Sequence, residues 1–225
     1  MKNKSLSVII PAYNEDPIIL DVIKKACKNV GLKTIIIDDG SDYPVKEADI
    51  RWEINRGQGS AIKAGVRKAK TTHVAFLDAD GQYDVIDLIY MWEGMQDEDQ
   101  LLGKRVCHQG TYKRLFGRLF LKLMACLFTM RYVKDLNTGL RIMDRKLALA
   151  YESLICDEFS YSSSYTLCFL LDGLKVKWVP IGFYPRQGSK STVKMVRHGL
   201  IALYTIFRIT FALRTRGLRK WLRER

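Results

Sequence analysis

Apolar and polar positions in the first hundred residues follow two alternating patterns. Short continuous apolar runs at Leu6 to Ile10, Lys33 to Ile37 and His73 to Leu77 are closed by Pro, Asp or Gly and predict buried strands. Ile50 to Ile54 and Leu101 to Val106 predict two further strands. Between these runs the apolar spacing becomes helical. Asp16-Pro17 carries the N-cap and first-turn signature of a helix reaching about Asn29. Gly59 to Lys70 predicts a helix with a basic outer face, and Asp84 to Met95 another. Strands alternating with helices predict an α/β sheet covered by helices. Farther on, Tyr112 to Met130 predicts a helix with Arg114, Arg118 and Lys122 on one side. Its apolar side holds Leu115, Phe116, Leu119, Phe120, Leu123, Met124 and Leu127. A polar segment from Val133 to Arg141 follows, then helices over Asp144 to Ser153 and Ser162 to Leu171, and a strand over Val176 to Phe183.

Polar clusters stand directly behind three of the strands: Tyr13-Asn14-Glu15, Asp38-Asp39-Gly40-Ser41 and Asp78-Ala79-Asp80-Gly81-Gln82. Open parallel sheets bind ligands outside the carboxyl ends of their strands, so three acid-bearing strand ends point to one site. Alternation along an extended chain would put Asp78 and Asp80 on the same side. Two carboxylates that close call for a positive charge between them, and a hard divalent cation prefers oxygen ligands. Taken alone the pentapeptide also reads as a solvated turn; the acids at the other strand ends favour a site.

The length of 225 residues suits one large domain with an extension, or two small domains. Five scattered cysteines without a Cys-x-x-Cys pair argue for a reducing compartment and against a zinc or disulfide frame. His73, His108 and His198 lack metal-ligand spacing. Met1 to Lys4 lead into a strand without a signal-peptide apolar region, so no signal peptide is expected. The net charge is +13, and +10 of it falls after residue 185. On charge alone that tail suits nucleic acid, anionic lipid or an acidic partner. Gly199 to Leu213 is mostly apolar but, at about 22 Å as a helix, is short of the ~30 Å hydrocarbon core. In a longer helix, Lys194, Arg197, His198, Thr205, Arg208, Thr215 and Arg219 form one polar stripe on an apolar cylinder, which suits a membrane interface. The alternative is a terminal helix packed on the core.

The ordered motifs resemble those of the family 2 glycosyltransferases of GT-A fold. They are most similar to the polyprenyl-phosphate branch that includes dolichol-phosphate mannose synthase. The matching segments are Val8 to Glu15, Ile36 to Ser41, Asn55 to Ala61, Phe76 to Gln82, Asp135 to Arg141, Val179 to Ile181 and Arg186 to Lys190. Departures are Gln58 where a basic residue is common, Thr138 where Ser is usual, and Trp178 where Glu is frequent. The resemblance implies a mixed, mostly parallel Rossmann-like sheet flanked by helices, with residues 1–190 as the transferase domain and 191–225 as a basic amphipathic tail. It implies a nucleotide-sugar site of Pro11, Tyr13, Glu15, Asp39, Asp78 and Asp80, and Mg2+ or Mn2+ held by Asp78, Asp80 and Gln82. Asp80, Asp135, Arg186 and Lys190 would be catalytic, and Arg105, Arg114 and Arg118 would take the acceptor phosphate.

The expected function is inverting, metal-dependent transfer of a hexose from a GDP-mannose or UDP-glucose type donor to a polyprenyl phosphate. It would take place at the cytoplasmic face of a membrane to which the protein binds peripherally. A second reading has a soluble or cell-surface glycan hydroxyl as acceptor, with Asp135 as its base. A third is a basic nucleic-acid-binding protein, disfavoured because Ile206, Phe207 and Phe211 serve no phosphate contact.

Overall fold

The computed structural model describes residues 4–106, 112–185 and 195–223. Arg186, Lys190 and His108 lie outside the described residues, as do the side chains of Arg114 and Arg118. The elements in order are β1 (Leu6–Ala12), α1 (Pro17–Asn29), β2 (Lys33–Asp39), β3 (Ile50–Trp52), α2 (Gln58–Lys68), β4 (His73–Phe76), α3 (Val85–Glu93) and β5 (Gln100–Arg105). Then come α4 (Tyr112–Thr129), β6 (Arg141–Asp144), α5 (Arg145–Ala150), a 3-10 turn (Glu152–Leu154), α6 (Tyr161–Leu171), β7 (Val176–Ile181) and α7 (Met195–Arg223).

The strands form one sheet in the order β3-β2-β1-β4-β6-β5-β7. β6 is antiparallel to both neighbours, and every other pairing is parallel. The expected mixed, mostly parallel sheet is therefore present. Because β6 runs backwards, its first residue lies at the edge where the parallel strands end. This strand was not predicted: it is four residues long and opens on Arg141, inside what reads as a polar motif.

Pro11 does not end β1, contrary to expectation; pairing with β2 continues through Ala12. The carbonyl of Ile9 accepts from the Leu77 amide, so Pro11, two residues on, faces the same side. There β4 has already ended, and no donor is missed.

The two faces of the sheet are covered differently. α1 and α3 pack Leu20, Ile23, Cys27, Leu88 and Met91 against one face. Asp16 and Asp84 cap these helices, accepting from the amides of Ile18 at 2.8 Å and Ile86 at 2.9 Å. On the other face α6 is buried along nearly its whole length, because α4 and α7 lie outside it.

This second layer fixes how the two amphipathic helices lie. The apolar side of α4 is largely turned outward: Ala125 is buried, but Leu119, Phe120, Leu123 and Leu127 are exposed. The polar stripe of α7 is only partly solvated: Arg197 is exposed, but the stripe's middle is not. Thr205 is buried, and Arg208 Nη2 donates to the Leu154 carbonyl at 2.6 Å. Ala202, Ile206, Ile209 and Leu213 join the core, whereas Leu200, Tyr204, Phe207 and Phe211 stay exposed. Phe128 of α4 and Phe207 of α7 meet edge to face at 4.8 Å. Among the described residues no helix is long and apolar enough to cross a membrane.

Candidate active site

β2, β1 and β4 are neighbours, so their acid-bearing ends share one edge. Asn14 joins the first two. Its amide donates to Ser41 Oγ at 3.0 Å, and its side chain exchanges hydrogen bonds with Asp42 at 2.9 and 3.0 Å. Pro11 is buried at the end of β1, Tyr13 stands exposed just beyond it, and Glu15 is half-buried.

Asp38 and Asp39 point into different surroundings. Asp38 accepts from the amides of Ser41 (2.9 Å) and Val45 (3.0 Å) and from Arg51 Nη1 (2.6 Å). Burial pushes its carboxyl up, but these donors outweigh burial and hold it below the ordinary value. Asp39 accepts from the amides of Arg56 (2.7 Å) and Gly57 (3.0 Å), and burial raises its carboxyl. Asp39 thus braces the turn into α2. That turn needs Gly57, whose φ is +94° and where a Cβ would lie 2.5 Å from the Asp157 carbonyl oxygen.

Asp78 and Asp80 do not lie on an extended chain, as alternation had suggested. β4 ends at Phe76 and the following residues turn. Asp80 is buried and accepts from the Gln82 amide at 3.1 Å, closing that turn. Asp78 accepts from Gln58 Nε2 at 2.8 Å. Gln58, the first residue of α2, is a site residue that sequence reasoning noted only as a departure from pattern. Gln82 Nε2 donates to the Tyr184 carbonyl at 3.2 Å, so its oxygen is the atom suited to a cation.

Among the described residues no group of three or more His, Cys, Asp or Glu could hold a metal. The residues expected to hold one, Asp78, Asp80 and Gln82, carry two carboxylates and one amide oxygen. Oxygen-only ligands in that small number fit Mg2+ or Mn2+, which usually keep waters and phosphate oxygens in their shell.

The loop before β6 closes over this station. Gly139 lies so near Asp78 that a Cβ there would be 2.1 Å from Oδ2. Its amide donates to the Tyr83 hydroxyl at 3.0 Å. Tyr83 packs on Phe183 at 5.4 Å, and the Arg105 guanidinium lies 5.2 Å from the same ring. Burial pushes the Tyr83 hydroxyl up to about 12, so it stays protonated at neutral pH.

Arg105 and Asp135, predicted for different roles, form one buried bidentate pair. Nε and Nη2 each donate to a carboxylate oxygen at 2.8 Å. Burial opposes the charge on Arg105, yet Asp135 outweighs it and raises the guanidinium's affinity for its proton. Asp135 also accepts from the Asn137 amide at 3.2 Å, and Trp178 Nε1 caps its carbonyl at 2.9 Å. Both oxygens of this carboxylate are thus occupied by donors. Arg114 and Arg118 lie on α4, whose backbone alone is described there.

Comparison with known proteins agrees with this architecture. The chain is 27% identical over 217 residues to a UDP-N-acetylglucosamine--dolichyl-phosphate N-acetylglucosaminyltransferase of Methanococcus voltae, covering 80% of this chain and 86% of that protein. It is 21% identical over 225 residues to a dolichyl-phosphate beta-glucosyltransferase of Mus musculus, covering 83% and 69%. Its fold matches that of glucosyl-3-phosphoglycerate synthase from Mycobacterium tuberculosis, solved with Mn2+, UDP-glucose and phosphoglyceric acid. The TM-score is 0.70 at 15% identity, covering 92% of this chain and 80% of that one. The fold is thus GT-A. The Glycosyl transferase family 2 model matches residues 7–148, and with acids at three strand ends of such a sheet, the chain belongs to that family and is a glycosyltransferase.

Proposed function

We propose that the protein transfers a hexose, with inversion, from a nucleotide sugar to a lipid phosphate at a membrane surface. The observation that carries this reading is the Arg105–Asp135 pair. A hydroxyl acceptor needs a base, and Asp135 is committed to a guanidinium. A phosphate acceptor is already ionised near neutral pH and needs a cation instead, a role this reading assigns to Arg114 and Arg118, since Arg105 is neutralised by Asp135. The names of the relatives from Methanococcus voltae and mouse, both acting on dolichyl phosphate, support the same acceptor.

In this reading Tyr13, Glu15 and Asp39 line the nucleoside end of the donor, and Asp78 its ribose and diphosphate. Asp78, Asp80 and Gln82 would hold Mg2+ or Mn2+. When bound, the metal offsets negative charge on the departing nucleoside diphosphate. Pro11 shapes the end of β1, and Arg186 and Lys190 serve the phosphates from the segment behind β7.

Residues 1–190 form the transferase unit, and 191–225 bring it to the lipid. The exposed rows on α4 and α7 lie side by side, joined by Phe128 and Phe207. Each large side chain left in water forgoes about 1.5–3 kcal/mol of burial, so such a face favours an apolar partner. Arg131, Arg214 and Arg216 flank it as exposed cations, matching anionic headgroups on the cytoplasmic side. The second reading has a soluble or cell-surface glycan hydroxyl as acceptor, and in it transfer needs no lipid.

The test supplies radiolabelled GDP-mannose, UDP-glucose or UDP-N-acetylglucosamine with Mg2+ or Mn2+ and polyprenyl phosphate in anionic vesicles. Lipid-linked product that disappears with chelator is expected. Failure with every donor, while a soluble acceptor is glycosylated, would establish the second reading.

A further inference from the structure

Arg141 carries a charge that its immediate surroundings do not neutralise. It is completely buried. Nη1 donates to the Ser162 carbonyl at 2.7 Å and to Thr166 Oγ1 at 3.3 Å, and Nη2 donates to the Thr138 carbonyl. All three acceptors are neutral. Nε has no partner, and Arg141 enters no ion pair among the described residues. Guanidinium does not lose its proton in proteins, so this charge cannot be removed by titration. A buried ion of this kind costs several kcal/mol unless an anion compensates it.

The location of Arg141 suggests what that anion is. It opens β6 at the binding edge of the sheet, in register with Phe76, two residues before Asp78. Two residues upstream, Gly139 touches the Asp78 carboxylate. Phe76 in turn packs on Tyr161 and Tyr165 of α6, the helix that receives the guanidinium. Burial opposes the Arg141 charge, and the groups that favour it are Tyr161 and Tyr83 first, then Asp135 and Asp78.

We propose that Arg141 is a positioning residue: a permanent positive charge behind the donor station that favours the donor's diphosphate and opposes the divalent cation when the cation is alone. A site of two carboxylates would otherwise bind the metal without the nucleotide. With Arg141 behind it, the metal gains most when the diphosphate arrives with it. The inference rests on the donor site proposed above.

The test measures binding, not turnover. Mn2+ affinity without nucleotide, and UDP and GDP affinity without metal, are determined by calorimetry for the full chain and for Arg141→Met. Mn2+ should bind the variant severalfold more tightly, and the nucleoside diphosphate about tenfold more weakly, as expected for one low-dielectric charge. Arg141→Lys, which keeps the charge but loses the planar donors, should hold both affinities within about threefold. Parallel weakening of both ligands, or no change in either, would overturn the proposal. If Arg141→Met does not fold, Arg141→Lys decides alone: a loss of both affinities means a purely structural role. A wild-type chain that binds neither UDP nor GDP overturns the donor reading itself, an outcome distinct from a failure confined to the variants.

Discussion

The acidic and cationic halves of the site are built by opposite means. At the ends of β2 and β4 the carboxylates accept from neutral donors: backbone amides for Asp38, Asp39 and Asp80, and an amide side chain for Asp78. At the ends of β5 and the start of β6 two guanidinium groups are buried, one paired with Asp135 and one supported only by carbonyls and a hydroxyl. Backbone amides are always present where a strand ends and a helix begins, so acids are inexpensive to hold there. A buried arginine has no such ready-made partner. Each one requires a second element to fold over it, and the loop from Asp135 to Gly139 does so.

That contrast can be broken most sharply at the Arg105–Asp135 pair. Asp135→Ala strands a buried guanidinium and should cost about 3–5 kcal/mol in urea unfolding. Arg105→Met combined with Asp135→Leu should recover most of that loss. A single variant as stable as the wild type would mean that the pair is not buried in solution.

On the acidic side the loss should be smaller. Asp38→Asn removes one acceptor and the Arg51 partner, and should cost about 1–3 kcal/mol at neutral pH. Because the folded carboxyl lies below 3.8, its stabilisation is fully present above that value and is lost as pH falls through the folded value. The gap between wild type and variant should therefore close in acid. Asp39 has the opposite sign: its raised carboxyl lowers stability as pH climbs from 3.8 through its folded value. A gap that widens in acid would contradict the assignment for Asp38.

The smallest effect belongs to Gln58. Gln58→Ala deletes one neutral hydrogen bond to Asp78 and should cost about 0.5–1.5 kcal/mol, read as weaker nucleotide binding with little change in melting temperature. A larger effect would show that Asp78 depends on the amide for its orientation.

Much of this could be read from local pattern. Asp16-Pro17 and Asp84 started their helices where expected, because a cap acts within three residues. The strand ends were visible because an apolar run followed by acids is itself a local signal. What stayed hidden depends on residues distant in sequence. Gly139 and Tyr83 are 56 residues apart, and Trp178 reaches Asp135 across 43. No spacing rule announces such contacts. The apolar stripe of α4 was legible but not that it faces outward, since periodicity identifies a face without saying what covers it.

By itself the sequence determined the alternation of strands and helices, the acids at three strand ends and the family to which they belong. These follow from backbone geometry and side-chain chemistry over a few residues. Only the tertiary structure decided that Asp135 is bound to Arg105, that Arg141 lies buried under the site, and that α4 and α7 turn apolar rows outward. Each depends on which surfaces meet when the sheet closes, and burial, not residue type, sets the cost of a charge or the gain from an apolar side chain.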